Sequence, residues 1–131
     1  MAVTQFERNF MSNQTKIHSA LAEAMSARSY ITLTPVQEAI LKIEDANSDL
    51  LVSAQTGSGK TLAFGISIAN TLLAEKMEFD RPKIPLAIII APTRELALQV
   101  RKELEWLYVR TKAQFASCVG GMDPRSERRT L

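Results

Sequence analysis

The pattern of apolar and polar positions predicts a chain in which helices and strands alternate. Apolar residues recur at helical spacing over residues 16–28, and a second helix begins after Thr34 with Pro35 in its first turn. Residues 61–74 are apolar on nearly every side, as in a helix buried inside an α/β domain. A further amphipathic helix follows Pro92. The apolar faces are formed by Ile17, Leu21, Ala24 and Met25, by Val36, Ala39, Ile40 and Ile43, and by Leu96, Val100, Leu104, Leu107 and Tyr108.

Three apolar runs, two between these helices and one after the last of them, predict strands. Residues 50–52 and 86–90 form continuous apolar runs, which are typical of parallel strands covered on both faces, and residues 115–119 form a third run. Strands and helices alternating in this order are typical of a right-handed parallel α/β unit. We therefore expect an α/β fold in which Cys118 is a buried strand residue.

Composition narrows the function classes. The 131 residues fit one domain, and 46% hydrophobic and 23% charged residues argue against disorder. The net charge of +2 neither suggests nor excludes nucleic acid as a partner. One cysteine excludes an intrachain disulfide framework and fits a reducing, cytoplasmic location. The longest apolar run, residues 86–91, is too short to cross a bilayer, so no membrane association is expected.

The segment Ala54-Gln-Thr-Gly-Ser-Gly-Lys-Thr61 predicts a phosphate-binding loop. It lies between a predicted buried strand and the start of a helix, where backbone N–H groups and the helix dipole favour an anion. Gly57 and Gly59 let the main chain approach phosphates, Lys60 supplies a point charge, and Thr61 offers a hydroxyl to Mg²⁺. The general P-loop pattern has glycine where this chain has Ala54. The alternative is a glycine-rich turn whose lysine faces solvent.

Two further segments carry candidate binding residues. Gln37 has an amide that can accept a hydrogen bond from adenine N6 and donate one to N7, and Tyr30 could pack against the base. On propensity alone, Gln37 is a helix-surface residue, and that alternative stays open. Thr93 and Arg94 lie where a predicted strand gives way to a helix, which suits a phosphate, although a simple helix start also explains them.

Taken together, these segments resemble the DEAD-box ATP-dependent RNA helicases. The run from Tyr30 through Thr34-Pro35-x-Gln37 is similar to that family's Q motif, and residues 54–61 are similar to its motif I, which commonly opens with Ala. Pro92-Thr-Arg-Glu-Leu-Ala97 is similar to motif Ia, and Gly120-Gly121 to the GG doublet. Ser29 departs from the pattern, since the family usually has Gly there.

The resemblance implies a P-loop NTPase fold of the RecA-like, three-layer αβα type with a parallel sheet, incomplete in this chain. It implies ATP and Mg²⁺ as cofactors and single-stranded or short duplex RNA as partner. The residues that it assigns to the nucleotide are Tyr30, Thr34, Gln37, Thr56, Gly57, Ser58, Gly59, Lys60 and Thr61, with Lys60 and Thr61 in catalysis and Thr61 on the metal. The residues that it assigns to the RNA backbone are Pro92, Thr93, Arg94, Gly120 and Gly121.

The sequence contains no Asp-Glu-Ala-Asp run, where the family holds its hydrolytic carboxylates. We therefore expect residues 1–14 to be an N-terminal extension and residues 15–131 to be a partial RecA-like domain, cut before that motif. The parent protein would unwind short RNA duplexes. The alternatives are a nucleotide- and RNA-binding module without turnover, or another superfamily 2 motor. Sheet edges left uncovered would favour self-association.

Overall fold

The computed structural model describes residues 16–30, 32–43, 48–80 and 84–120. The helices in these ranges confirm the predicted order. They are α1 (Ser19–Ala27), α2 (Pro35–Leu41), α3 (Lys60–Leu73) and α4 (Arg94–Leu107). None of these helices combines the length and apolar character that crossing a membrane requires. The expected extension over residues 1–14 and the second glycine of the doublet, Gly121, lie outside the described residues.

Side-chain caps fix where α2 and α4 begin. The Thr34 hydroxyl accepts from the Gln37 backbone N–H, and the Gln37 amide oxygen accepts from the Thr34 backbone N–H, which makes a capping box around Pro35. The Thr93 hydroxyl accepts from the Leu96 backbone N–H at 3.2 Å. Each cap satisfies N–H groups that have no partner inside the helix. Both N-caps are therefore set by the local sequence.

The core lies between α3 and its neighbours. Helix α3 packs against α2 and α4, and α1 packs against α4. Gly65 lets α4 approach closely, because a Cβ there would lie 2.8 Å from Leu104 Cδ2 and 2.9 Å from Leu107 Cδ2. The Tyr108 hydroxyl donates to the Gly65 carbonyl at 2.6 Å, inside the core. The helix that follows the phosphate loop is thus locked to the helix that begins at Arg94.

Two predicted faces are corrected by the structure. Helix α3 buries one face only, and its Asn70 and Thr71 are exposed, so residues 61–74 do not form a helix covered on nearly every side. On the α2 side, Ala39 and Ile43 are exposed and Gln37 is buried instead. The capping box draws the Gln37 side chain back over the helix start, and this turns the buried face away from the purely apolar positions.

The three predicted strands are the main correction. None of the described residues forms a strand, so the runs 50–52, 86–90 and 115–119 have no sheet ladder. Leu51 is fully exposed, and Ile88 and Ile90 are 82% and 90% exposed. Cys118, expected to be buried, is exposed as well. The physical reason is that a strand needs a neighbouring strand for its backbone hydrogen bonds, and the described residues supply none.

Residues 115–120 nevertheless run alongside α4. Phe115 packs edge-on against Tyr108, Ser117 accepts from Arg101 at 3.0 Å, and the Gly120 carbonyl accepts from Arg94 at 3.1 Å. The segment therefore runs antiparallel to α4, from its end to its beginning. As a result, Gly120 lies beside the N-terminus of α4.

Candidate functional site

The phosphate loop adopts the backbone that its glycines permit. Gly57 and Gly59 have φ of +77° and +84°, and the Ser58 N–H donates to the Gln55 carbonyl at 3.3 Å. Both φ values lie in the left-handed region, which a residue with a Cβ enters only at a cost. A Cβ on Gly57 would meet nothing within 4 Å, so this side of the loop faces open space. The loop ends at Gly59, directly before the first residue of α3.

Lys60 folds back onto its own loop. Its ammonium Nζ donates to the Ala54 carbonyl at 2.5 Å and to the Gln55 carbonyl at 2.6 Å. These carbonyls hold the positive charge at the loop, beside the N-terminus of α3, and not out in solvent. A Lys60 side chain that simply faces solvent, the alternative left open by the sequence, does not describe this conformation.

Ser58 contributes a second polar group to the loop. Its hydroxyl oxygen is buried and has no hydrogen-bond partner among the described residues. A buried hydroxyl without a partner costs free energy, and such groups commonly mark a place where a ligand or water binds. The donor set here, an ammonium, hydroxyls and backbone N–H groups at a helix start, is the set that binds phosphate oxygens.

The Gln37 side chain reaches this loop. It is 2% exposed, and its Nε2 donates to the Gly59 carbonyl at 3.3 Å. The contact is close, since a Cβ on Gly59 would lie 2.5 Å from Gln37 Nε2 and 3.2 Å from Thr34 Oγ1. Gln37, predicted to read a base, and Thr34, predicted to support its loop, therefore lie beside Gly59 and Lys60, which are predicted to bind phosphates. The view of Gln37 as a surface residue is wrong.

Tyr30 takes a position that the sequence did not indicate. Its ring stacks on Trp106, with ring centroids 5.4 Å apart and planes inclined by 27°. The Arg28 guanidinium lies 4.5 Å from the centre of the same Trp106 ring. The sole tryptophan in the chain was the only sequence signal for this cluster, and the sequence did not indicate its partners.

The candidate RNA residues meet at the start of α4. Thr93 caps the helix, Arg94 is its first residue, and the Arg94 guanidinium donates to the Gly120 carbonyl. Pro92, Arg94 and Gly120 are exposed. The structure thus brings together residues that are far apart in the sequence, at a helix N-terminus with a guanidinium beside it. Such an arrangement suits the anionic phosphate backbone of a nucleic acid.

Comparison with known proteins identifies the family to which the chain is similar. The family model described as DEAD/DEAH box helicase matches residues 34–131. The ATP-dependent RNA helicase RhlB of Xanthomonas campestris pv. campestris is 37% identical over 116 residues, which are 88% of this chain and 20% of that protein. The DEAD-box ATP-dependent RNA helicase CshA of Bacillus licheniformis is 39% identical over 116 residues, 88% of this chain and 23% of that protein. The chain thus spans about a fifth of the length of these relatives.

A solved structure has a similar fold. The RNA-helicase Prp28 from Chaetomium thermophilum, bound to ADP, matches with a TM-score of 0.72 and 26% identity. The match covers 98% of this chain and 36% of that chain. The described helices therefore follow the path of one part of a nucleotide-bound helicase.

Proposed function

Since the chain belongs to the DEAD/DEAH box helicase family, we propose that it is the ATP-binding and RNA-backbone-binding part of an ATP-dependent RNA helicase that unwinds short RNA duplexes. RhlB and CshA carry the name ATP-dependent RNA helicase, and Prp28 was solved with ADP bound. We further propose that residues 15–131 are part of a RecA-like, three-layer domain whose parallel sheet is incomplete in this chain, and that residues 1–14 are an extension. The likeness to Prp28 supports that architecture.

The contact between Gln37 and Gly59 is the observation that carries the nucleotide site. It joins the loop proposed for the base to the loop proposed for the phosphates. Nucleotide phosphates would take the open side of Gly57, the orphaned Ser58 hydroxyl and the Lys60 ammonium. Thr56 lies in the same turn. Lys60 would exchange two neutral carbonyl partners for anionic phosphate oxygens, with which its ammonium forms stronger hydrogen bonds.

Mg²⁺ requires oxygen ligands, and the start of α3 offers one in the Thr61 hydroxyl. Thr61 is the second residue of α3, and we propose that its hydroxyl holds the ion beside the phosphates. When bound, the ion would neutralise charge on the phosphate oxygens. Gln37 keeps one amide hydrogen and one lone pair beyond its contacts with Thr34 and Gly59, which is the donor and acceptor pair that adenine N6 and N7 require.

Nucleotide titrations of the 131-residue chain test this site. Lys60→Ala should lower ATP affinity at least about tenfold, since it removes a charge-assisted hydrogen bond, and Lys76→Ala, a change at an exposed lysine, is the control. Gln37→Ala should weaken ATP more than GTP, and Gln99→Ala, on the exposed side of α4, is its control. Unchanged ATP affinity in Lys60→Ala would refute the proposed phosphate site. An equal loss of ATP and GTP affinity in Gln37→Ala would refute the role of Gln37 in reading the base.

The RNA site is proposed at the start of α4. Pro92, Thr93, Arg94 and Gly120 meet there, and we add Gly121 from the sequence. Arg94→Ala should weaken binding of single-stranded oligouridine and should reduce the slope of log affinity against log salt by about 0.7 for each phosphate that the arginine neutralises. Arg110→Ala, at an exposed arginine paired with Glu23, is the matched control. An unchanged salt slope for Arg94→Ala would exclude this contact.

A second candidate is a nucleotide- and RNA-binding module without turnover. The observation that favours it is the lack of an Asp-Glu-Ala-Asp run in the 131 residues. Phosphate release from ATP by this chain, measured with and without RNA, tests this candidate: robust turnover refutes it, whereas absence of turnover agrees with both candidates.

Two further properties belong to the proposal. The exposed apolar side chains of Leu51, Ile88 and Ile90 favour self-association, because apolar surface of this kind is stabilised by contact with a second copy. A cytoplasmic location is proposed from the single cysteine, which suits a reducing compartment.

A further inference from the structure

The loop between α1 and α2 begins with a disfavoured backbone conformation. The Ser29 N–H donates to the Ser26 carbonyl at 2.9 Å, and the Tyr30 N–H donates to the Met25 carbonyl at 3.0 Å. This is the Schellman pattern that ends a helix, and the first of its two donor residues takes a left-handed conformation. Ser29 takes that position with φ of +58°. Glycine is usual there, because a Cβ makes the left-handed conformation costly.

Both chain neighbours of Ser29 are held by one side chain. The Arg28 guanidinium and the Tyr30 ring both pack against Trp106, at 4.5 Å and 5.4 Å from its ring centre. Trp106 lies near the end of α4 and packs, partly buried, against the hydrophobic core. Cation–π and stacked aromatic contacts each contribute stabilisation of the same order as the cost of the left-handed residue.

The same loop delivers Thr34 to the candidate nucleotide site. Leu33 packs against the hydrophobic core, and the next residue, Thr34, caps α2 and borders Gly59. Only three residues separate Tyr30 from Thr34, so a change of backbone conformation at Ser29 is expected to displace Thr34 and Gln37 from the phosphate loop.

We propose that Trp106 is a positioning residue for nucleotide binding. By holding Arg28 and Tyr30 it keeps a non-glycine residue in the left-handed conformation, and so keeps Thr34 and Gln37 against Gly59. The inference rests on the proposed nucleotide site and adds to it a residue that contacts neither base nor phosphate. It predicts that the need for Trp106 disappears when Ser29 is replaced by glycine, which adopts the conformation without help.

The test is a double-mutant cycle read out by ATP and GTP affinity on the 131-residue chain. Trp106→Ala should lower ATP affinity about fivefold, the factor given by a destabilisation typical of a left-handed non-glycine residue, and should narrow the ATP-to-GTP ratio. Trp106→Phe, which keeps an aromatic face, should stay near wild type. Ser29→Gly combined with Trp106→Ala should recover most of the loss. Val109→Ala, at an exposed position next to the end of α4, is the control.

The outcomes are distinguishable. If the wild type binds ATP and Lys60→Ala does not, the nucleotide site stands, and the cycle then judges Trp106 alone. Equal ATP affinity and ATP-to-GTP ratio in wild type and Trp106→Ala would overturn the inference. So would a double variant that regains thermal stability without regaining affinity, because Trp106 would then serve stability only. Should Trp106→Ala not fold, the cycle is run with Tyr30→Leu in its place, with the same expected rescue by Ser29→Gly.

Discussion

Removing the Tyr108 hydroxyl should change stability in a way that depends on pH. The hydroxyl donates to the Gly65 carbonyl at 2.6 Å in the core between α3 and α4. At neutral pH, Tyr108→Phe should lower the free energy of unfolding by about 1 kcal/mol, the typical net value of one hydrogen bond. Burial raises the pKa of Tyr108 well above its ordinary value of 10.0, because the phenolate would lose its hydration.

The raised pKa gives the sign of the pH dependence. The folded state keeps this proton above pH 10, whereas the unfolded state loses it, so stability is full below about pH 10 and falls as the pH rises further. The slope approaches about 1.4 kcal/mol per pH unit for one proton, so the loss reaches about 1.4 kcal/mol by about pH 11. Tyr108→Phe cannot titrate. It should therefore start less stable than wild type and match or exceed it near pH 11.

Urea unfolding followed by circular dichroism at a series of pH values measures this difference. Other titrating groups are common to both proteins and cancel in the comparison. Tyr30→Phe, which removes a hydroxyl from a ring that is 42% exposed, is the control for loss of a tyrosine hydroxyl. A difference between wild type and Tyr108→Phe that stays constant from pH 7 to pH 11 would refute the buried, protonated hydroxyl and its role between the helices.

Two other predictions follow from described contacts. Gly57→Ala and Gly59→Ala share the cost of a positive φ, about 1 kcal/mol each, but only at Gly59 does the added Cβ meet Gln37, at 2.5 Å. Gly59→Ala should therefore lose about 1–3 kcal/mol more in urea unfolding; equal losses would argue against the contact. Leu51→Lys with Ile90→Lys should shift sedimentation velocity profiles from associated species to monomer, and a wild type that stays monomeric at high concentration would contradict self-association.

The parts of the fold that the sequence predicts correctly are those decided by nearby residues. The caps at Thr34 and Thr93 fix the starts of α2 and α4, and the start of α3 follows from Gly59 and Lys60. At α2 and α4 the capping hydrogen bond joins residues that are three positions apart, and at α3 the left-handed Gly59 ends the loop, so no knowledge of the rest of the chain is needed. The order of the helices and the position of the phosphate loop were predictable for this reason.

The strands fail for the opposite reason. An apolar run such as residues 86–90 shows which side chains favour burial, but burial needs a partner that the run itself cannot specify. Ile88 and Ile90 are mostly exposed because no described strand lies beside them. The same holds for Cys118. The left-handed conformation of Ser29 could not be predicted for a different reason. The hydrogen bonds to the end of α1 impose it, and a serine side chain does not indicate it.

Gln37 shows how a single amide can serve the fold and the proposed site at once. Its oxygen accepts from Thr34 and its nitrogen donates to Gly59, so the side chain holds the capping box and the phosphate loop together. A purine bound at the remaining hydrogen and lone pair would contact a group already fixed from two sides, and fixed groups bind without a large entropic cost. Base recognition would then be sensitive to any change in Gly59. Selectivity for adenine would therefore depend on the conformation of the phosphate loop, because Gln37 is held by Gly59.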